Sequence, residues 1–412
     1  MGQQRQLGSI FGIPFYLDSS WFLILGLVTL VNANQINEEI LFGNRLWLGW
    51  LLGLILALGL FGSVLLHELG HSLVARSQGI KVNSITLFLF GGVASIERES
   101  TTPVGSLWVA IAGPLVSFAL AGLFSILGTL LPNSELWVHF SDDLGNINFF
   151  LGVFNLIPGL PLDGGQVLKS VIWKATGDRL VGMRWAARSG KALGIVGFGL
   201  GLLLMLTFGN FGGAWLALIG WFVWKNASAY DRLADLQTSL LTLKAVDVMT
   251  RDFRVIDANL TLKDFAQTYL LSHDGLNFPY YAASEGRYRG LIRPEKLQEI
   301  ERSQWDHLTL NDIAEALTDI PTVAETTSLA TVVNQLEGYG GQPAERFLTV
   351  LSPADAIAGV IDRGDIVKVL TLKHRLPISD TEIQRTKTEF TYPNAFAIAS
   401  LAKNLTPQEL TQ

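Results

Sequence analysis

The chain has no cysteine among its 412 residues, and only 16% of them are charged. Without thiols there is no disulfide framework, no thiolate metal site and no cysteine nucleophile. Ordinary globular domains carry about 25% charged residues. The shortfall, beside 49% apolar residues and a mean hydropathy of +0.35, excludes a disordered chain and argues against an all-soluble one. Positive charge is scarce too. Thirty Lys and Arg face 36 Asp and Glu, so no nucleic-acid surface is expected.

What is present is unevenly spread. Residues 1–240 hold 13 basic and 13 acidic residues, leaving 17 and 23 for the rest. Ten of the 11 tryptophans precede residue 225, and only Trp305 follows. The first part reads as membrane-embedded and the second as a soluble acidic domain. The start is polar, with Arg5 alone charged before Asp18. The apolar run Trp21–Val31 lacks a small-residue cleavage site, so no cleavable signal is expected. Six membrane segments are expected at roughly 15–31, 46–75, 105–131, 146–168, 189–208 and 211–226. The fourth is broken by Pro158 and Pro161. With the N-terminus inside, the cytoplasmic loops hold 11 basic residues and the outer loops only Arg45. That asymmetry sets both termini in the cytoplasm.

The second segment ends in His67-Glu68-Leu69-Gly70-His71. The i, i+4 spacing puts both histidines on one helical face. Two imidazoles supply half of a tetrahedral zinc site, and Glu68 can move a proton from a metal-activated water. An ionisable trio in hydrocarbon is expensive and calls for a function. A hydrolytic zinc site needs a third ligand. His139 falls in an expected outer loop, and His273, His307 and His374 lie in the soluble part. In Asn155-Leu156-Ile157-Pro158-Gly159-Leu160-Pro161-Leu162-Asp163-Gly164-Gly165, prolines and glycines break the helix. Irregular backbone at membrane depth must line a cavity or be buried in protein. Asp163 is the one acid there, either a ligand or a cap on the next helix. Val82–Phe90, Gly91-Gly92 and Val93–Ile96 read as strand, turn and strand. Such a hairpin is either a sheet edge that receives an unwound substrate or an ordinary surface hairpin. Gly49 and Gly53, and Gly194, Gly197 and Gly201, suit helix packing or a gate.

These residues resemble the site-2 proteases, zinc metalloproteases that cut peptide bonds within or beside the membrane. The resemblance covers roughly 1–225. It rests on His67-Glu68-x-x-His71, Asn155…Pro158…Pro161-Leu162-Asp163-Gly164-Gly165, Phe90-Gly91-Gly92-Val93-Ala94 and Ala112-Gly113-Pro114. It implies one zinc held by His67, His71 and Asp163, Glu68 as catalytic base, and Asn155, Gly91 and Gly92 at the substrate. The family commonly has Asn where Ser117 stands, a departure expected to touch packing rather than chemistry. The implied substrate is a membrane-anchored protein.

Residues 226–244 read as a helical linker. Residues 245–375 then hold two copies of a β/α unit, an internal repeat. The first copy should have a helix at 260–271, strands at 278–283 and 288–292 and a helix at 294–302. The second should have helices at 328–337 and 363–371 and strands at 346–351 and 357–361. Val248-Met249-Thr250, Gly290-Leu291-Ile292 and Gly359-Val360-Ile361 make the pair similar to tandem CBS modules. Such pairs often bind an adenine nucleotide. Asp365 fits that pattern, Arg293 and Lys296 could attract phosphate, and Asp362 would repel it; a structural role or a homodimer contact is the other reading. Residues 376–412 look like a loose tail with a short helix near 394–403. The expected fold is thus a polytopic α-helical membrane protein of about six helices, a short β-hairpin beside the site and an α/β cytoplasmic CBS pair. The expected function is intramembrane zinc endopeptidase activity at the inner (plasma) membrane, modulated by that pair. The rivals are a CBS-gated transporter or channel and a catalytically inactive scaffold of the same fold.

Overall fold

In the computed structural model the chain divides into two compact units, Met1–Ala234 and Asp235–Gln412. The structure describes residues 5–39, 46–88, 91–130, 135–209, 211–271, 278–338, 345–393, 398–403 and 405. Arg45, Phe90 and His273 lie outside these ranges.

The first unit opens with β1 (Arg5–Ile10) and β2 (Ile13–Leu17), then α1 (Ser19–Glu39) and α2 (Leu46–Ser77). Next come β3 (Val82–Phe88), β4 (Gly91–Ile96), α3 (Pro103–Leu130) and α4 (Glu135–Asn155). It closes with α5 (Asp163–Thr176), α6 (Arg179–Phe208) and α7 (Phe211–Thr242). Within the described residues, four helices are long and apolar enough to cross a membrane: most of α1, and α2, α3 and α6. The expected fourth segment is two helices joined by the stretch 156–162, because Pro158 and Pro161 lack the N–H a helix needs. His139, expected in a loop, lies inside α4, 3.2 Å from Asp143. With Asp142 and Asp143 in it, α4 is not among the helices apolar enough to cross by themselves.

The glycine stripes are helix contacts. A Cβ on Gly53 would lie 2.8 Å from Thr29 O of α1, and one on Gly201 2.2 Å from Ala217 N of α7. Only a bare backbone allows this approach.

The strands form one sheet in the order β1-β2-β3-β4. β2 pairs in parallel with β3, and β3 antiparallel with β4. The hairpin is therefore half of a larger sheet whose first two strands come from the polar N-terminus. Gly91 and Gly92, expected in the turn, belong to β4 and pair with Phe88 and Leu87. Ile13, Ile80, Val82 and Ile85 pack the sheet against Leu69 and Ala75 of α2. Its two edge strands are β1 and β4, and β4 is the one beside Glu68.

The second unit has a repeated topology. β5 (Arg254–Asp257), β6 (Tyr280–Ser284) and β7 (Arg287–Ile292) form one sheet. β8 (Thr322–Ala324), β9 (Phe347–Leu351) and β10 (Ile357–Asp362) form another. In each, the first pair is parallel and the second antiparallel. The short strands β5 and β8 were not expected. The copies lend each other backbone: Thr250 bridges Val360 of β10, and Glu315 bridges Leu291 of β7. Tyr281 and Thr349 join β6 to β9 by a 2.7 Å hydroxyl contact. The helix expected at 260–271 is a short α-turn, Leu262–Phe265, continued by a π-turn, Ala266–Leu270. The one at 294–302 consists of two 3₁₀ turns. Part of the tail is ordered: a helix over Asp380–Glu389, capped by Ser379, packs on the helix Arg363–His374. A short helix runs over Ile398–Lys403; 394–397 lie outside the described residues.

Candidate active site

α2 has 32 residues, about 48 Å at 1.5 Å per residue. It carries His67 and His71 on one face, with ring centroids 5.0 Å apart. Both are buried, at 3% and 8% exposure. α3 crosses this face with its smallest residue: a Cβ on Gly113 would lie 2.2 Å from His71 Nε2 and 2.5 Å from His67 Nε2. The space in front of both nitrogens exists because position 113 has no side chain.

The other ring nitrogens are held from behind. His67 Nδ1 lies 2.8 Å from Ser117 Oγ, and His71 Nδ1 donates to Val109 O at 2.6 Å. Val109, Gly113 and Ser117 are spaced i, i+4 and i+8, one face of α3. Ser117 therefore does more than pack. It orients a histidine, as partners of metal-binding imidazoles do. The 109/113/117 spacing was present in the sequence, but nothing in it says that this face of α3 meets α2.

Asp163 comes from the opposite side. It is the first residue of α5, and Leu162 precedes it as an N-cap with no side-chain bond. The Asp163 carboxylate turns away from its own helix end: Oδ2 lies 3.0 Å from His67 Nε2 and 3.2 Å from His71 Nε2. The connection 156–162 folds tightly enough to place it there. Leu160 N donates to Ala186 O of α6, and a Cβ on Gly165 would lie 2.3 Å from Leu160 N. The donor atoms of His67, His71 and Asp163 all lie within 4.8 Å of one another. Two imidazole nitrogens and one carboxylate oxygen, with the far side of each ring already bonded, fit zinc and leave a coordination position for the reaction.

Glu68 and Asn155 border the group. Asn155 ends α4 with Nδ2 3.5 Å from His67 Nε2. Glu68 faces β4. A Cβ on Gly92 would lie 2.5 Å from Glu68 Cγ, and Ala94 lines the same cleft as Glu68. Gly92 thus abuts the Glu68 side chain, which no turn-based reading would foresee. A cleft of about 320 Å³ runs between β4 and α5. Glu68, His71 and Asp163 line it, as do Gly92, Ala94 and Lys169.

Arg293 and Asp365, the expected nucleotide contacts, already have partners within the second unit. Arg293 Nε donates to Glu315 at 2.8 Å, and Asp365 meets Lys387 of the tail helix at 2.6 Å.

The family model for peptidase family M50 matches residues 55–140 and 131–204. A Synechocystis protein with a zinc-metalloprotease name is 39% identical over 372 residues, covering 90% of this chain and 96% of its own. A Mycobacterium tuberculosis protein similarly named is 31% identical over 88% of this chain and 92% of its own. The solved site-2 protease of Methanocaldococcus jannaschii is 33% identical over 56% of this chain and 95% of its own, with a TM-score of 0.40. The chain belongs to peptidase family M50, the site-2 proteases. It is a membrane protein and an intramembrane zinc metalloprotease, the histidine pair lying on one of the helices long and apolar enough to cross a membrane.

Proposed function

We propose that the protein hydrolyses peptide bonds in or beside the transmembrane segments of membrane-anchored proteins, with His67, His71 and Asp163 holding zinc and Glu68 acting as base. The observation that carries this is the convergence of three donor atoms from α2 and α5 beside a glutamate that faces an edge strand. Zinc, when bound, polarises the scissile carbonyl and makes water a nucleophile at neutral pH. The remaining work falls to the chain. Glu68 accepts the water proton and passes it to the leaving amine. Asn155 turns its amide toward the site and orients the substrate backbone. The edge of β4 takes an unwound substrate segment by strand addition, which exposes a peptide bond that a helix would hide.

The membrane topology follows from the same reading. α1, α2, α3 and α6 cross, and the α4–loop–α5 segment and α7 complete six passes. Loop charge puts both termini in the cytoplasm, at the inner membrane. The second unit acts as a CBS-type regulatory pair, which could also join two copies of the chain. Its would-be nucleotide contacts are engaged by Glu315 and Lys387, so a nucleotide must displace internal ion pairs.

Glu68→Gln tests the core of the proposal. It should abolish cleavage of a synthetic single-span peptide while bound zinc stays at the wild-type ratio. Wild-type cleavage by the variant would remove Glu68 from the mechanism.

A further inference from the structure

The cleft holds a charged pair that peptide hydrolysis does not use. Lys169 lies on α5 and is 2% exposed. Its ammonium meets Glu99 Oε2 at 2.7 Å, and Arg179, the first residue of α6, reaches the same oxygen at 3.1 Å. Glu99 follows shortly after the end of β4. Lysine is rarely buried this deeply, and an apolar side chain of similar volume would often be as stable. What an ion pair adds is a fixed geometry between the elements it joins.

Those elements are the two walls of the cleft. Asp163, Gln166 and Lys169 recur at i, i+3 and i+6 on α5, and all three line it. Across from them runs β4, whose Gly92 abuts Glu68 and whose Ala94 lines the cleft. The opposite side of β4 is bonded to β3, and Glu97 N donates to Lys81 O just past the strand. Toward α5, Glu99 is a direct tie among the described residues. A strand added at an edge lies about 4.8 Å from its neighbour, so the slot works only at a set width.

We propose that Glu99 and Lys169 are positioning residues whose ion pair fixes the edge of β4 against α5, so that a substrate strand enters in one register and presents one peptide bond to the His67–His71–Asp163 group. The inference rests on β4 being the receiving edge. Neither residue touches the reacting atoms. Arg179 braces the pair from α6.

The absence of native cysteine allows a direct test on the full-length protein in detergent. Val93 on β4 and Val171 on α5 are 52% and 51% exposed. Each is replaced by Cys and spin-labelled, and the label-to-label distance distribution is measured by pulsed EPR. It should be narrow in the otherwise native chain and broad after Glu99→Gln or Lys169→Met. It should narrow again, in part, in the exchange Glu99→Lys with Lys169→Glu. Without labels, the single variants should keep zinc and raise KM for a synthetic single-span peptide about 10-fold more than they lower kcat. Mass spectrometry should find their cuts spread to neighbouring bonds. Unchanged distance distributions in both single variants would overturn the proposal whether or not the peptide is cut. So would broadening with loss of zinc in both, which marks a merely structural role. If Lys169→Met fails to fold, the half-exposed Glu99 still carries the test through Glu99→Gln. A wild type that leaves the peptide uncut tells against the substrate reading, and the distance measurement decides the pair on its own.

Discussion

Ser117→Ala isolates one hydroxyl behind the metal group. Ser117 is fully buried, and its Oγ lies 2.8 Å from Nδ1 of His67, itself 3% exposed. Alanine leaves this ring nitrogen without that partner where water does not reach. An unsatisfied buried polar group costs about 1–3 kcal/mol. The ring can recover some of this by turning, but turning carries Nε2 away from Asp163 Oδ2, 3.0 Å off. Either way the loss falls on the metal. Removing such a partner typically costs 10–100-fold in metal affinity, or about 1.4–2.7 kcal/mol. The assay is competition for zinc between detergent-purified protein and a chromophoric chelator, wild type against variant, with the melting temperature recorded in the presence of excess chelator. The expected result is a zinc affinity lower by one to two orders of magnitude, beyond a fall of a few degrees in the melting temperature of the chelated protein. Unchanged affinity would refute the argument, because the hydroxyl would then be only a filler of space. A drop in the chelated protein's stability equal to the whole loss in affinity would also refute it.

Gly113→Ala should be harsher, since its Cβ would lie 2.2 Å from His71 Nε2; zinc per chain should fall near zero, and retention of wild-type zinc would show that α3 can withdraw. Glu99 gives a pH signature: desolvation at the carboxyl end of this half-exposed side chain pushes it up, but Lys169 and Arg179 win and hold it down at about 2, against the ordinary 4.5. A depressed carboxyl stabilises the fold above its unfolded value and loses that contribution as pH falls toward its folded one. The melting gap between wild type and Glu99→Gln should therefore be constant above pH 4.5 and close as pH falls toward about 2; a gap already closed at pH 4.5 would contradict the pairing. Tyr281→Phe removes the hydroxyl that meets Thr349 at 2.7 Å across the two copies and should destabilise the second unit by about 1–2 kcal/mol in urea melts, with an unchanged value counting against a stabilising link.

The parts legible in the sequence are those whose spacing is local. His67 and His71 share a helical face by i, i+4, and every copy of that pattern in a helix must do so. Asp163 was legible for another reason: prolines and glycines at membrane depth demand a cavity, and it was the only acid there. Ser117 and Val109 were missed because their meaning depends on α3 crossing α2 at Gly113, a packing choice no local pattern states. Gly92 was misplaced for a related reason. A Gly-Gly pair ordinarily marks a turn, but here the missing Cβ serves the approach of Glu68 to β4. β1 and β2 pair with each other across Phe11-Gly12, but this hairpin escaped notice because its place beside the site is set only by β3, which arrives from beyond α2. In the second unit the order of elements was readable, but β5 and β8 were too short to announce themselves, and the π-turn after Leu262–Phe265 is indistinguishable from a helix by periodicity.

A sheet beside a membrane helix resolves a conflict in the chemistry. A spanning helix bonds all its backbone internally, which is why it is stable in lipid and why it resists hydrolysis. Any site that cuts it must offer the opened backbone replacement partners before a nucleophile can act. On the proposed reading the edge of β4 provides them, and Gly92 of the same strand abuts the side chain of Glu68. Recognition and base placement thus share one element. A substrate strand drawn to that edge is brought to Glu68 by the same displacement, so an unwound segment is favoured over an intact helix without any side-chain code. Selectivity would then reside in how readily a substrate helix unwinds near the cleft. Peptides of equal hydrophobicity but rising Gly and Pro content should be cut in that order, with rates insensitive to which side chains flank the bond. Rates that followed side-chain identity at constant helix stability would place selectivity in a pocket instead.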